Sequence, residues 1–367
     1  MRVVSLFSGC GGMDFGVRSA GGEVIFANDV LKEAGITHSK YFPETDFNLG
    51  DIRDIDLFPA ADLVVGGYPC QPFSMGGNRN PESDQRSYLF REFARVVASV
   101  SPKFFIAENV SGLKSVQNGR WLNQQVDTFS SLGRHGYRLS WAVLNAQDFG
   151  VPQRRKRLFI VGVRKDLGAV FKFPEPTHAK SKDCKKLGLL PHTSHGDAIA
   201  GLPLWPTGEF YERPHDPEGH FSWYYMSRNR KAKWAEPSFT VVANFRHCTL
   251  HPASPTMELL WSNLADGYKQ GWGFSGSYEH LEADPTRPIL EEARRLSWRE
   301  AALIQTFPKD FEPAGDLMRK FEQIGNAVPP LLMEVLTRNL LSGAGLVEPS
   351  ELELELDLPP LNQASLF

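Results

Sequence analysis

Three stretches of the chain carry residue types suited to covalent chemistry. The first is Gly66-Gly67-Tyr68-Pro69-Cys70-Gln71-Pro72-Phe73-Ser74, entered from the apolar run Leu63-Val64-Val65. A thiol just past a buried strand stands at the carboxyl edge of a sheet, where α/β enzymes place their chemistry. Alone, Cys70 reads more readily as a buried structural thiol, since free cysteine is among the most buried residue types. The second is Glu108, which ends the apolar run Lys103-Phe104-Phe105-Ile106-Ala107 and precedes Asn109, a residue suited to locking the local backbone. Alone it is equally a surface acid at a strand end. The third is Gln153, Arg155 and Arg157, whose alternation puts three polar donors on one face of an extended segment.

The elements that must hold these groups alternate strand and helix. Residues 3–7 read as a buried first strand, Ser8-Gly9-Cys10-Gly11-Gly12 as a turn, 13–20 as a helix and 24–27 as a second strand with Asp29 just past it. That order is a nucleotide-binding βαβ layout, in which glycines admit a ligand to the backbone and the acid holds a ribose diol. Gly9 and Gly11 match the first two glycines of the dinucleotide fingerprint, but the third position is Asp14. A pyrophosphate lacks a complete cradle, so an adenosine ligand without phosphates fits better, S-adenosylmethionine foremost. Asp51-Ile52 precedes the 63–65 strand; Asp51 could reach an adenine amino group, though alone it reads as a turn aspartate. The glycine-rich, charged segment 76–85 has the length and composition of a lid. Helices are predicted over 88–100 and 121–132, and strands over 137–144 and 158–163.

At 367 residues, with 41% hydrophobic and 23% charged content, the chain is long enough for two domains or one with a large insertion. It has no bilayer-length apolar run, and its amino terminus lacks a signal-peptide layout. Cys10, Cys70, Cys184 and Cys248 lie far apart, which points to reduced thiols in a cytosol. Net charge is −3, but five acids sit in the last 21 residues, leaving basic clusters at 154–157 and at Arg228, Arg230, Lys231 and Lys233 on the body. Such clusters suit a phosphate backbone, although most short charge runs are solvated faces. From 173 to 292 prolines, histidines and aromatics rise and the alternation fades, which reads as an inserted, smaller, irregular, mostly β domain. His178, Cys184, His192 and His195 fit no compact zinc spacing, so no metal is expected. Ser297 and Glu300 form a capping box that opens a helix over 297–305, and an apolar helix through about 341 should dock back on the first domain.

Phe7-Ser8-Gly9-Cys10-Gly11-Gly12, Pro69-Cys70-Gln71, Glu108-Asn109-Val110, Gln153-x-Arg155-x-Arg157, Arg299-Glu300-Ala301-Ala302 and Gln323-Ile324-Gly325-Asn326 occur in this order. The set resembles the DNA (cytosine-5)-methyltransferase family of bacterial restriction-modification systems, over roughly residues 1–170 and 290–340. The resemblance implies a Rossmann-like, S-adenosylmethionine-dependent α/β domain over 1–172 and a target-recognition domain over 173–292. A returning segment over 293–345 and an acidic tail over 346–367 complete the chain. It implies Cys70 as nucleophile, Glu108 as the proton donor at the base, Arg157 at its O2 edge and Arg155 as supporting neighbour. Phe7, Gly9, Gly11, Asp29, Val30, Asp51, Ile52, Pro69, Leu89 and Asn326 are implied cofactor contacts. Gln71, Ser74, Arg228, Arg230 and Arg246 are expected DNA contacts. Tyr68 stands where proline or phenylalanine is usual, and Asp29 where glutamate is common.

The expected substrate is double-stranded DNA with the target base flipped out. The expected setting is a monomer in the bacterial cytoplasm, nucleoid-associated when on DNA, alongside a cognate restriction endonuclease. An RNA (tRNA) cytosine-5 methyltransferase and a non-catalytic nucleotide-binding domain are the alternatives. The first usually has a smaller recognition region, and the second gives no reason for Cys70 and Glu108 together. The terminal Gln363-Ala364-Ser365-Leu366-Phe367 resembles peptides that dock on the bacterial sliding clamp.

Overall fold

The computed structural model describes residues 1–69, 89–212, 221–263 and 269–351. Cys70, Gln71, Ser74, the expected lid and the terminal pentapeptide lie outside them. The described chain opens with β1 (Arg2–Leu6), α1 (Gly12–Ser19), β2 (Glu23–Asp29), α2 (Lys32–Tyr41), β3 (Asp46–Leu49) and β4 (Leu63–Gly66). It continues through α3 (Leu89–Val100), β5 (Phe104–Val110), α4 (Arg120–Ser130), β6 (Tyr137–Asn145) and β7 (Lys156–Arg164). The seven strands form one sheet in the order β3-β2-β1-β4-β5-β7-β6. The first five run parallel, and β7 lies antiparallel between β5 and β6.

Period-two alternation fills both faces of this sheet. Val4, Val64 and Phe105 pack with Phe90, Phe93 and Phe129 of α3 and α4. Val3, Leu63, Val65 and Ile106 pack on the other side with Leu332, Met333 and Leu336 of the helix Pro330–Leu341. That helix also lies along α1, as its apolar run predicts. The capping box at Ser297 and Glu300 is present and opens the helix Trp298–Ile304.

Two elements depart from the sequence reading. β3 is a four-residue edge strand, and two of its four residues are exposed. α2 begins without a side-chain cap. Neither carries a clear apolar period.

In 173–292 the described regular structure is sparse. The longest pair is the antiparallel ribbon Met257–Asn263 with Lys269–Phe274, accompanied by two-residue bridges and single helical turns. The segment is irregular as expected, but strands make up less of it than its composition suggested. It leaves beside the point where the chain returns, since Val170–Phe171 pairs antiparallel with Leu346–Val347.

Candidate active site

β4 and β5 are hydrogen-bonded neighbours in register, Leu63 opposite Phe104 and Gly66 opposite Ala107. Their carboxyl ends therefore bring Gly67 and Glu108 together. A Cβ on Gly67 would lie 2.9 Å from Glu108 Oε2, so a side chain there would push the carboxylate aside. Glu108 is buried, and Arg157 Nε meets its Oε1 at 2.9 Å. Burial raises the Glu108 pKa; the charges of Arg157 and Arg155 pull it the other way without prevailing. A carboxyl held this way keeps its proton above the ordinary carboxylate range and can give it to a base bound against it.

Tyr68 acquires a role here. Its ring is buried against Phe93, and its hydroxyl donates to Gln125 Oε1 of α4 at 2.6 Å. Asn109 Nδ2 donates to the Tyr68 carbonyl at 3.2 Å, while Asn109 Oδ1 accepts from Val110 N. Asn109 thus fastens the β4 exit to the β5 end, one residue from Glu108. Pro69, partly buried, ends this described stretch.

The three expected donors divide. Arg157 pairs with Glu108. Arg155, fully buried, donates instead to the carbonyls of Val241, Gly325 and Ala327. Its guanidinium therefore reaches Glu108 only as a charge. Gln153, also fully buried, bonds to Gln305 and to the Val241 N–H.

The glycine turn after β1 forms a second site at the same sheet edge. Gly11, at φ +87°, is the residue before α1. Asp29 ends β2; its two oxygens accept from Gly9 N at 2.8 Å and Leu31 N at 2.9 Å. Burial raises the Asp29 pKa against those N–H groups. Beside it Val30 is 68% exposed. Phe7 is partly buried, and beyond its own chain neighbours no atom of the described residues lies within 4 Å of where a Cβ on Gly9 would stand. Behind the turn, Asp14 accepts from Ser5 Oγ at 2.6 Å and pairs with His38 Nε2 at 2.7 Å, all fully buried. The place of a third fingerprint glycine is thus taken by an internal network, which sequence periodicity does not reveal.

The remaining cofactor candidates scatter more. Ile52 is buried in the core, and Leu89 is partly buried at the start of α3. Asp51 turns to Arg53, which pairs with it at 2.6 Å and holds its carboxyl down at about 2. Asn326 is exposed at the end of the helix Leu317–Asn326.

In 173–292 the expected DNA contacts also part company. Arg228 and Arg246 are exposed. Arg230 is half-buried, donating to the carbonyls of Tyr225 and His247 at 3.2 Å each. Lys231 is buried in an ion pair with Glu279. Missed by the sequence reading are Trp223, 81% exposed, and Tyr224, whose ring lies 5.4 Å from that of His247. Burial first, and then the charges of four arginines, lower the His247 pKa. Among the described residues no cluster suits a metal, and no helix is long and apolar enough to cross a membrane.

The mostly parallel sheet with its antiparallel β7, packed between helices, defines a Rossmann-like methyltransferase fold. A putative DNA modification methyltransferase of an Escherichia coli prophage superposes with a TM-score of 0.63 at 21% identity, covering 93% of this chain and 99% of that one. Dnmt2 of S. pombe superposes at 0.60 and 16% identity, covering 94% of this chain and 99% of its own. Both likenesses are of fold.

The chain belongs to the C-5 cytosine-specific DNA methylase family, whose model matches residues 1–342. It is 35% identical to the type II methyltransferase M.BsuRI of Bacillus subtilis, over 94% of this chain and 80% of that protein. With M.NgoPII of Neisseria gonorrhoeae the identity is 36%, over 90% and 92%. The protein is a DNA (cytosine-5)-methyltransferase, and an RNA-directed activity is not favoured.

Proposed function

We propose that this enzyme transfers the methyl group of S-adenosylmethionine to C5 of one cytosine within a specific double-stranded sequence. The observation that carries the reading is a buried Glu108 held by Arg157 against Gly67, three residues before Cys70. The glycine turn suits the cofactor: the space over Gly9 is open, Val30 offers an apolar surface, and the Asp29 oxygens retain lone pairs for a ribose diol. Phe7, Gly9, Gly11, Asp29 and Val30 would hold it, with Asp51, Ile52, Pro69, Leu89 and Asn326 as outer candidates. When bound, it supplies an electrophilic methyl group.

Cytosine C5 is a weak nucleophile. The Cys70 thiolate adds to C6, forming the S–C6 bond, and electron density moves through the ring toward C5 and N3. Glu108 gives its proton to N3 and leaves an electron-rich C5, while Arg157 holds the adjoining O2 edge. After transfer the C5 proton passes to solvent, the S–C6 bond breaks and Glu108 recovers its proton. Cys10 and Cys248 are poor rivals, because burial pushes both thiols up, that of Cys248 to about 12. A base in this geometry must leave the stack. Gln71, Ser74, Arg228 and Arg246 are then the contacts that grip DNA, with Arg230 supporting them.

We take the enzyme to act as a monomer in the bacterial cytoplasm, beside a restriction endonuclease that cuts the same site; the type II designation of its relatives supports the endonuclease. Labelled-methyl transfer to duplex DNA and to tRNA tests the reading; incorporation into tRNA alone overturns it. A separate reading rests on Gln363-Ala364-Ser365-Leu366-Phe367, a peptide suited to an apolar groove on the sliding clamp. Equal clamp affinity for the full chain and for one ending at Asn362 would dismiss it.

A further inference from the structure

Gln153 and Arg155 grip a single residue of the recognition segment from both sides. Gln153 Oε1 accepts from the Val241 N–H at 2.7 Å, and Arg155 Nη1 donates to the Val241 carbonyl at 3.1 Å. The other arm of the guanidinium, Nη2, donates to the carbonyls of Gly325 and Ala327 at 2.8 Å each. These two carbonyls flank Asn326. Gln153 Nε2 donates to Gln305 Oε1 at 2.9 Å, and Gln305 Nε2 donates to the Ile324 carbonyl at 2.7 Å. A Cβ on Gly325 would stand 2.2 Å from Ala243 N, so the two backbones touch.

Four segments therefore meet on two side chains. One contains Arg157, two residues from Arg155 and paired with Glu108. Another runs from Val241 to Asn244, whose side chain accepts from Arg246 N and caps the turn carrying Arg246 and His247. Stability alone is a poor reason for this arrangement. A fully buried guanidinium that, among the described residues, meets carbonyl acceptors and leaves its Nε without a partner bears a desolvation cost that an apolar side chain would avoid. What the planar fork adds is geometry, fixing three carbonyls at once.

We infer that Gln153 and Arg155 are positioning residues that set the register of the Asn244–His247 turn against the Glu108–Arg157 pair. Recognition of the right sequence is thereby transmitted to the proton donor. The inference rests on the DNA-methylating reading and deepens it.

The test uses the full chain and two variants, Arg155→Lys and Gln153→Met. The first keeps the charge and loses the fork; the second keeps the volume and loses both neutral bonds. Steady-state kcat and KM are measured on a duplex carrying the methylated site, identified by bisulfite sequencing, and on duplexes with one base pair changed. Thermal melting and active-site titration run alongside. The expected result for Arg155→Lys is about a tenfold fall in cognate kcat, with KM for DNA little changed and preference over altered sites reduced about tenfold. Gln153→Met should lower the same preference about threefold. Loss of active enzyme with wild-type preference in the folded fraction of either variant would make the pair merely structural and overturn the inference. A wild-type chain that methylates no DNA would instead sink the reading beneath it.

Discussion

The sheet edge and the segment 173–296 are held together differently. At the edge, strand ladders and apolar side chains fill the interior; buried Glu108 pairs with half-buried Arg157 facing the chemistry, while Asp14 and His38 pair behind the glycine turn. In 173–296 cations hold the interior together. Arg295 lies over the rings of Tyr225, Phe221 and Tyr211 at 4.2, 4.8 and 5.1 Å. Arg294 forks onto Glu300 at 2.7 and 2.9 Å with both partners buried, and Lys231 pairs with Glu279. A segment with few strands must satisfy its backbone through side chains, and arginine does this with five donors and a flat face. A basic residue there is therefore as readily mortar as a DNA contact.

The largest effect separating the two regions should come from Glu108→Gln. It keeps a hydrogen bond to N3 but has no proton to give, so kcat should fall ~10²–10⁴-fold while DNA and cofactor affinity hold. The pH dependence has a definite sign. Because burial raises the folded pKa, the protonated form persists above the ordinary carboxylate range and is lost as pH rises through that pKa. Wild-type kcat should decline on that limb, and the Gln variant should lack it. An unchanged limb in a stopped-flow pH series would remove Glu108 from the chemistry.

Arg294→Ala tests the mortar. Removing one partner of a buried pair leaves Glu300, among the described residues, with only the Ser297 N–H and His251 beside it, a loss of about 3–5 kcal/mol. Urea unfolding should show that loss, and replacing both Arg294 and Glu300 with leucine should recover much of it. A single variant as stable as wild type would contradict the contrast.

Arg246→Ala and Arg230→Ala sharpen it further. Exposed Arg246 should weaken DNA binding and lower the salt slope by about 1, with melting unchanged. Arg230→Ala should lower melting as well, because two carbonyls lose their donor. Identical melting for both would return Arg230 to the surface. Smallest is Tyr68→Phe, which deprives Gln125 of its hydroxyl donor and should cost about 1 kcal/mol in urea unfolding.

Much of the sheet edge was legible in the sequence because its causes are local. Apolar runs such as Val3-Val4, Leu63-Val64-Val65 and Phe104-Phe105-Ile106 declare buried strands, and Gly9, Asp29 and Glu108 fall at the carboxyl ends of β1, β2 and β5. β3 and α2 were not legible, since an edge strand and an uncapped helix carry little period. Nor were the uses of the arginines. Whether a guanidinium meets a carboxylate, a ring, a carbonyl or a phosphate depends on residues far away in sequence, as Arg155, Arg157, Arg230 and Arg295 show. The sequence gives no reason for Tyr68 in place of the usual proline or phenylalanine, because its partner Gln125 lies 57 residues on.

The central claim is that Cys70 attacks C6 with Glu108 beside it. A duplex carrying 5-fluorocytosine at the target position tests it most directly, because fluorine cannot leave C5 as a proton does and the S–C6 bond is trapped. With S-adenosylmethionine present, the account predicts a covalent protein–DNA species that survives denaturation, maps by mass spectrometry to Cys70 and is absent in Cys70→Ala. An adduct on Cys10, Cys184 or Cys248 would contradict it. So would no adduct from enzyme that methylates the matching cytosine duplex.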